Sequence, residues 1–345
     1  MQSIKAFVDR YEHFVVLGHR EPDGDCVGSQ LALASWLGRS GKSAVPISAG
    51  PFDRPEIAAY GSEFRNNLED LPQKSVAAVI LDCSLPERTG LDSEVIRKWP
   101  CLTVDHHSAG HGYGHVTFID PNSPSTSLLV QRLIEGLGGE PTRDEAELLL
   151  FGFCTDTGFF RHLDDGGANV FPALARLMGL GVSLKDIYNR IYGGRMLGHF
   201  TLLGQLLTRT ESFVGDRVLL TWQNLADLGQ EAQRVPNGSH QGCAAASEDT
   251  GQAQQQNTIV RGSDDLYKHL QSVENNEIVV FIKEEQGREC SVGLRSRGTI
   301  DVGEMARALG GGGHAGAAGF TSTGSIEDLR RLVLDVLGRH YGLEF

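Results

Sequence analysis

Four short runs of nearly uninterrupted apolar residues constrain this chain most: HFVVLG (13–18), AVPIS (44–48), VAAVILD (76–82) and CLTVD (101–105). A strand with one wet face alternates apolar and polar side chains. A run without alternation is buried on both faces, as in a parallel sheet. Helix-like stretches such as CVGSQLALASWLGRSG separate the runs. This order predicts an α/β layer fold, a parallel sheet with helices on both faces. Ligands of such sheets bind beyond the carboxyl ends of the strands. Those ends carry His19, Asp23 and Asp25 in HREPDGD, Asp82 in LDCS, and the triplet Asp105-His106-His107. Asp156, in GFCTDTG, follows an apolar helical run.

Carboxylates and imidazoles are costly to bury unless a metal or an anion satisfies them. Taken singly, PDGD is a common turn and a histidine after a strand is commonly a loop residue. The ordered set points instead to one metal site. Oxygen and imidazole donors without thiolates favour manganese, magnesium or iron over structural zinc. The donors exceed the need of one octahedral ion, so two ions are expected, with Asp82 on its central strand as the natural bridge. Cys26, Cys83 and Cys154 each neighbour a motif aspartate and read as buried fillers.

The remaining sequence divides the chain. Residues 3–12 read as an amphipathic helix. SPSTSLLVQRLIEGLGG and TRDEAELLLFGFCTDTG read as two more, the second opened by a Thr142–Glu145 capping box. Helical pattern continues to about residue 208. A strand, RVLLTW, follows, and then a polar stretch at about 229–258 reads as a mobile loop. A helix from 263, the strands EIVVFIKE and ECSVGLRS, a helix started by Asp301 and Glu304, the run GGGGH and a final amphipathic helix complete a smaller α/β domain. The boundaries expected are 1–190 for a catalytic metal-binding domain, 191–212 for a helical linker and 213–345 for a substrate-binding domain.

A formal net charge of −13 argues against a nonspecific binder of duplex DNA. Six cysteines without CxxC pairs indicate reduced thiols and a cytoplasmic setting. No run approaches a membrane span, and MQSIKAFVDRYEHF lacks a signal-peptide core. Four glycines before His314 can turn backbone N–H groups toward an anion; the alternative is a helix C-cap and tight turn. Arg295, followed by Ser296, is of the type that grips phosphate bidentately.

HREPDGDCVGS, LDCS, VDHH and GFCTDTGFFR, in that order, resemble the four motifs of the DHH phosphoesterase family, and ALGGGGHAGAAGF resembles the hallmark of its DHH-associated C-terminal domain. Size and layout resemble the oligoribonuclease (nanoRNase) and 3′-phosphoadenosine 5′-phosphate (pAp) phosphatase branch. The resemblance implies one metal held by His19, Asp23 and Asp82, and a second held by Asp25, Asp82, His106 and Asp156. It implies that His107 meets the scissile phosphate or leaving oxygen and that Asp105 orients a neighbour. It gives Arg295, Ser296, Gly311, Gly312, Gly313 and His314 to the substrate, across an interdomain cleft. The expected activity is two-metal hydrolysis of short single-stranded RNA and of pAp, with Mn2+ first and Mg2+ or Co2+ as alternatives; a homodimer is left open. The rivals are a cyclic dinucleotide phosphodiesterase, an inorganic pyrophosphatase and a nucleotide-binding regulator without turnover.

Overall fold

The structure, a computed structural model, describes residues 1–72, 74–107, 113–163, 170–227, 263, 265–285, 289–298 and 300–342. The polar 229–258 stretch lies outside them. The chain divides into two compact units, Met1–Gly194 and Arg195–Phe345.

The first unit holds a five-stranded, all-parallel sheet in the order β2-β1-β3-β4-β5. Its strands are β1 (His13–Leu17), β2 (Ser43–Ile47), β3 (Val76–Leu81), β4 (Cys101–Asp105) and β5 (Val116–Ile119). The unbroken apolar runs are explained by the pleat. Phe14, Val16, Ala77, Val79 and Leu81 enter one core, and Val15, Leu17, Ala78 and Ile80 enter another on the opposite face. Both faces are dry, so both parities are apolar. The first face is covered by α1 (Gln2–Arg10), α2 (Gly24–Arg39), α5 (Thr126–Gly136) and α6 (Arg143–Asp156). The second is covered by the short α4 (Ser93–Ile96) and loop residues such as Leu71 and Trp99. The short strand β5 was not read from the sequence. It is half-buried, and its alternation is too brief to register.

Helices α2 and α6 touch along glycines. A Cβ on Gly28 would lie 2.4 Å from the Leu148 carbonyl oxygen, and one on Gly152 would lie 3.1 Å from Asp25 Cα. No side chain separates the two backbones there. The Thr142–Glu145 capping box forms as read. The short α3 (Pro55–Ala58), α7 (Phe171–Gly179) and α8 (Leu184–Tyr192) complete the unit.

The second unit opens with α9 (Leu197–Arg209), inside the span read as a linker, and contains a six-stranded sheet in the order β10-β11-β9-β8-β7-β6. Its strands are β6 (Glu211–Phe213), β7 (Val218–Gln223), β8 (Ile278–Glu285), β9 (Glu289–Ser296), β10 (Gly312–His314) and β11 (Ala317–Thr323). Among the described residues of this sheet, only β7 and β8 pair in parallel. One face packs on α10 (Val302–Ala308) and α11 (Ile326–Tyr341) through Met305, Leu329, Val333 and Leu337. The other packs on α9 and on residues 265–270 through Leu206, Leu266 and Leu270. Asp301 caps α10 by accepting from the Glu304 amide. Among the described residues no helix is long and apolar enough to cross a membrane.

Candidate metal centre and phosphate-binding strand

The donors in the first unit gather where β1, β3 and β4 run out. Asp23 is the N-cap of α2, and its Oδ1 accepts from the amides of Asp25 and Cys26 at 3.1 and 3.0 Å. Its other oxygen is left for His19, whose Nε2 lies 3.8 Å away. Helix α2 starts at Gly24, earlier than the sequence reading, so Asp25 stands in its first turn. It is 1% exposed, and its two oxygens accept from the amides of Thr126 and Ser127 at 2.6 and 2.8 Å. Those are orphan donors at the start of α5, where a carboxylate is favoured.

Asp82 follows β3 with φ at +60°, a left-handed conformation that costs a non-glycine residue about 1–2 kcal/mol. Its carboxylate lies between two imidazoles. Oδ2 is 3.4 Å from His19 Nε2, and Oδ1 is 3.6 Å from His106 Nε2. Thr126 Oγ1 donates to Oδ1 at 2.9 Å. His106 Nε2 is also 3.3 Å from Asp156 Oδ2, at the end of α6.

The imidazole tautomers follow from their second nitrogens. His19 Nδ1 donates to the Arg20 carbonyl at 2.9 Å, and His106 Nδ1 donates to the Ser123 carbonyl at 3.2 Å. Each ring therefore turns its Nε2 toward the carboxylates, the nitrogen that a metal ion would take. His107 is different. Its Nδ1 is bonded to Asp105 Oδ1 at 2.8 Å, and it is half-exposed. Asp105 is fixed by the Ser84 hydroxyl and the His107 amide. The triplet thus splits: His106 turns toward Asp82 and Asp156, while Asp105 orients His107.

Burial and mutual repulsion dominate the electrostatics of the cluster. Burial pushes the Asp25 carboxyl well up, and Asp82, Asp156 and Asp23 push it further. Burial lifts Asp156 to about 6; Asp82 and Asp23 add to this against the attraction of His106. Burial disfavours a charge on His19, but Asp23 and Asp82 outweigh it and raise its pKa. Burial also opposes the charge on Asp23, yet His19 brings its carboxyl down to about 2. Mutually repelling carboxylates with imidazole Nε2 atoms among them fit hard divalent cations. Among the described residues, three groups have donor atoms within 4.8 Å of one another: His19, Cys26 and Asp82; Asp82, His106 and His107; Asp25, His106 and Asp156. Asp82 belongs to two of them. Cys26 is a poor donor, because burial raises its thiol to about 12 and Sγ donates to Gln30 Oε1.

In the second unit the glycine run is an edge strand rather than an open loop. Gly310, at φ +83°, ends α10, so the C-cap reading also holds. Gly312–His314 then pair with β11. A Cβ on Gly311 would lie 2.1 Å from the Gly319 oxygen, and one on Gly313 2.5 Å from the Ala317 oxygen. The glycines are needed because two backbones approach closely. Ala317 pairs with His314 on one side and with Arg295 on the other, so His314 and Arg295 share a sheet face. His314 is exposed. The Arg295 guanidinium stacks on Tyr267, 4.4 Å from the ring centroid. Ser296 donates its amide to the Gly316 carbonyl, and its hydroxyl oxygen accepts from the Gly298 amide.

Sequence reasoning missed Thr126, Ser127, Ser84 and Tyr267. Ser125, within the run SPSTS, caps α5. Nothing in it signalled donors to distant aspartates.

Residues 13–153 match the DHH family N-terminal domain, and residues 250–339 match the DHHA1 domain. The chain is 32% identical over 311 residues to the bifunctional oligoribonuclease and PAP phosphatase NrnA of Thermus thermophilus, covering 89% of this chain and 83% of that protein. This chain belongs to the DHH family. Among solved structures, an exopolyphosphatase-related protein from Bacteroides fragilis matches 99% of this chain and 96% of its own, with a TM-score of 0.74 at 20% identity. RecJ of Thermus thermophilus in complex with Mn2+ matches with a TM-score of 0.50 at 14% identity, over 99% of this chain and 54% of RecJ. The motifs that carry the DHH family resemblance contain the residues gathered at the ends of β1, β3 and β4 and of α6.

Proposed function

We propose that this chain is a phosphoesterase that hydrolyses short single-stranded oligoribonucleotides and pAp. The observation that carries the reading is the Asp82 carboxylate, with one oxygen toward His19 and the other toward His106. The likeness to NrnA of Thermus thermophilus supports the substrate class. Two divalent cations, with Mn2+ the first choice, would be held by His19, Asp23 and Asp82 and by Asp25, Asp82, His106 and Asp156; they would supply Lewis acidity and offset the phosphate charge.

The chain's own residues do the rest. The α5 amides and the Thr126 hydroxyl hold Asp25 and Asp82 fixed, so little reorganisation is needed during reaction. Asp105 holds His107 by Nδ1 and raises its pKa, which favours a proton on Nε2 as well. His107 Nε2 then gives that proton to the departing oxygen. Arg295, Ser296, Gly311, Gly312, Gly313 and His314 bind the terminal phosphate of the substrate. All five cysteines among the described residues are free thiols, which supports a cytoplasmic setting.

The test is a manganese-supplemented assay comparing an RNA dinucleotide, pAp, cyclic di-AMP and pyrophosphate. Turnover of the dinucleotide and pAp should exceed that of the other two by at least about tenfold. A preference for cyclic di-AMP or pyrophosphate would overturn the reading.

A further inference from the structure

A cleft of about 580 Å³ lies at the end of the edge strand β2, lined by residues from the segment 48–52 on one side and from the segment 61–70 on the other. The second segment continues the sheet: Arg65 donates its amide to the Pro46 carbonyl, and the Ser48 amide donates to the Arg65 carbonyl. The first is tied to the metal loop, because the Glu21 amide donates to the Gly50 carbonyl at 3.0 Å. The cleft therefore opens on the same strand-end rim as His19 and Asp23, one strand further out.

We propose that this cleft is a nucleoside subsite that takes the base of a substrate nucleotide, a proposal that rests on the phosphoesterase reading above. Its volume suits one nucleoside. Phe52 and Phe64 supply flat apolar surface, their ring centroids 5.1 Å apart. Cβ atoms on Gly50 and Gly61 would lie 3.6 and 3.4 Å from the Phe52 ring, so two glycines keep side chains off it. Asn67 donates to Asn66 Oδ1 at 3.1 Å and accepts from the Glu69 amide at 3.0 Å, which orders the exposed Asn66 side chain and leaves its Nδ2 as a donor beside its Oδ1, the chemistry that reads a base edge. Among the described residues no carboxylate pairs with Arg65. Glu69 and Asp70 also line the cleft and outnumber that one cation, so a phosphate group is disfavoured there and a neutral nucleoside, with amino donors on its base and hydroxyl donors on its ribose, is favoured.

The test uses the full chain with Phe52→Leu, which keeps bulk and loses the flat face, and Asn66→Ala, which alters an exposed side chain. KM and kcat are measured on an RNA dinucleotide and on bis(p-nitrophenyl) phosphate, which has no base. Each variant should raise the dinucleotide KM by roughly fivefold or more and leave the other substrate within about twofold. Equal losses on both substrates, or an unchanged dinucleotide KM, overturn the subsite. Independently, adenosine titrated into 15N-labelled wild-type protein should shift the Asn66 and Asn67 side-chain amide signals. Unmoved signals overturn it as well. If the wild type leaves the dinucleotide intact while adenosine moves those signals, the substrate reading falls and the subsite stands.

Discussion

Thr126 donates its hydroxyl to Asp82 Oδ1 at 2.9 Å. The same residue gives its amide to Asp25 Oδ2 at 2.6 Å. One residue at the start of α5 thus sets two carboxylates carried by different elements. Thr126→Val keeps the shape and the amide but removes the hydroxyl. The manganese concentration for half-maximal activity should rise by about 10- to 100-fold, as for other supports of metal ligands. Thr126→Ser should restore it. An unchanged manganese titration for the valine variant would remove the positioning role.

Asp82→Asn tests the centre itself. Asparagine tolerates the left-handed backbone at this position, so the fold should survive. Hydrolysis should fall by about a thousandfold or more, the scale of losing a central electrostatic group. The thermal midpoint of the metal-free protein should hold or rise, because one of several crowded carboxylates is gone. Retained turnover with manganese would sink the two-cation assignment.

Glu145 gives a stability prediction with a definite sign. It is 1% exposed and bonded to Arg39, Ser35 and the Thr142 amide. Burial opposes its charge, but those donors outweigh burial and hold its pKa below the ordinary value. Its contribution is therefore full above about pH 4.3, the unfolded glutamate value, and is lost as pH falls through the lower folded value. Glu145→Gln should cost about 1–3 kcal/mol at pH 7, and the gap to wild type should close toward pH 3. Thermal midpoints across that range measure it. A constant gap would mean that the charge is not responsible.

Tyr267 holds Arg295 by its ring face. Tyr267→Leu leaves the guanidinium unsupported and should raise KM for pAp by roughly threefold to tenfold with a smaller change in kcat. Tyr267→Phe should restore KM, since the ring remains. Equal losses in both variants would assign the effect to the hydroxyl, which lies where a Cβ on Gly293 would stand.

The parallel sheet and the gathering of polar donors at its edge were legible because one physical cause, burial on both faces, writes uninterrupted apolar runs and leaves the polar residues at their ends. Asp25 reads as a loop residue because PDGD is a turn pattern. Its helical place follows from Asp23 capping α2. Thr126 and Ser127 could not be found, because a threonine that supports a distant carboxylate looks the same in sequence as one that begins a helix. The glycines before His314 were read for their freedom; Gly310 and Gly313 use it, with positive φ, while Gly311 and Gly313 are also needed for their lack of bulk against β11. Tyr267 meets Arg295 only through the fold.

The contact of Gly28 and Gly152 has a consequence for how such a site changes over time. Asp25 stands one helical turn before Gly28, and Asp156 one turn after Gly152, so main chain against main chain fixes the span between the two carboxylates. Core side chains elsewhere can be exchanged without altering that span. The centre is insulated from drift in the surrounding core, and the two glycines are where that insulation is most easily broken.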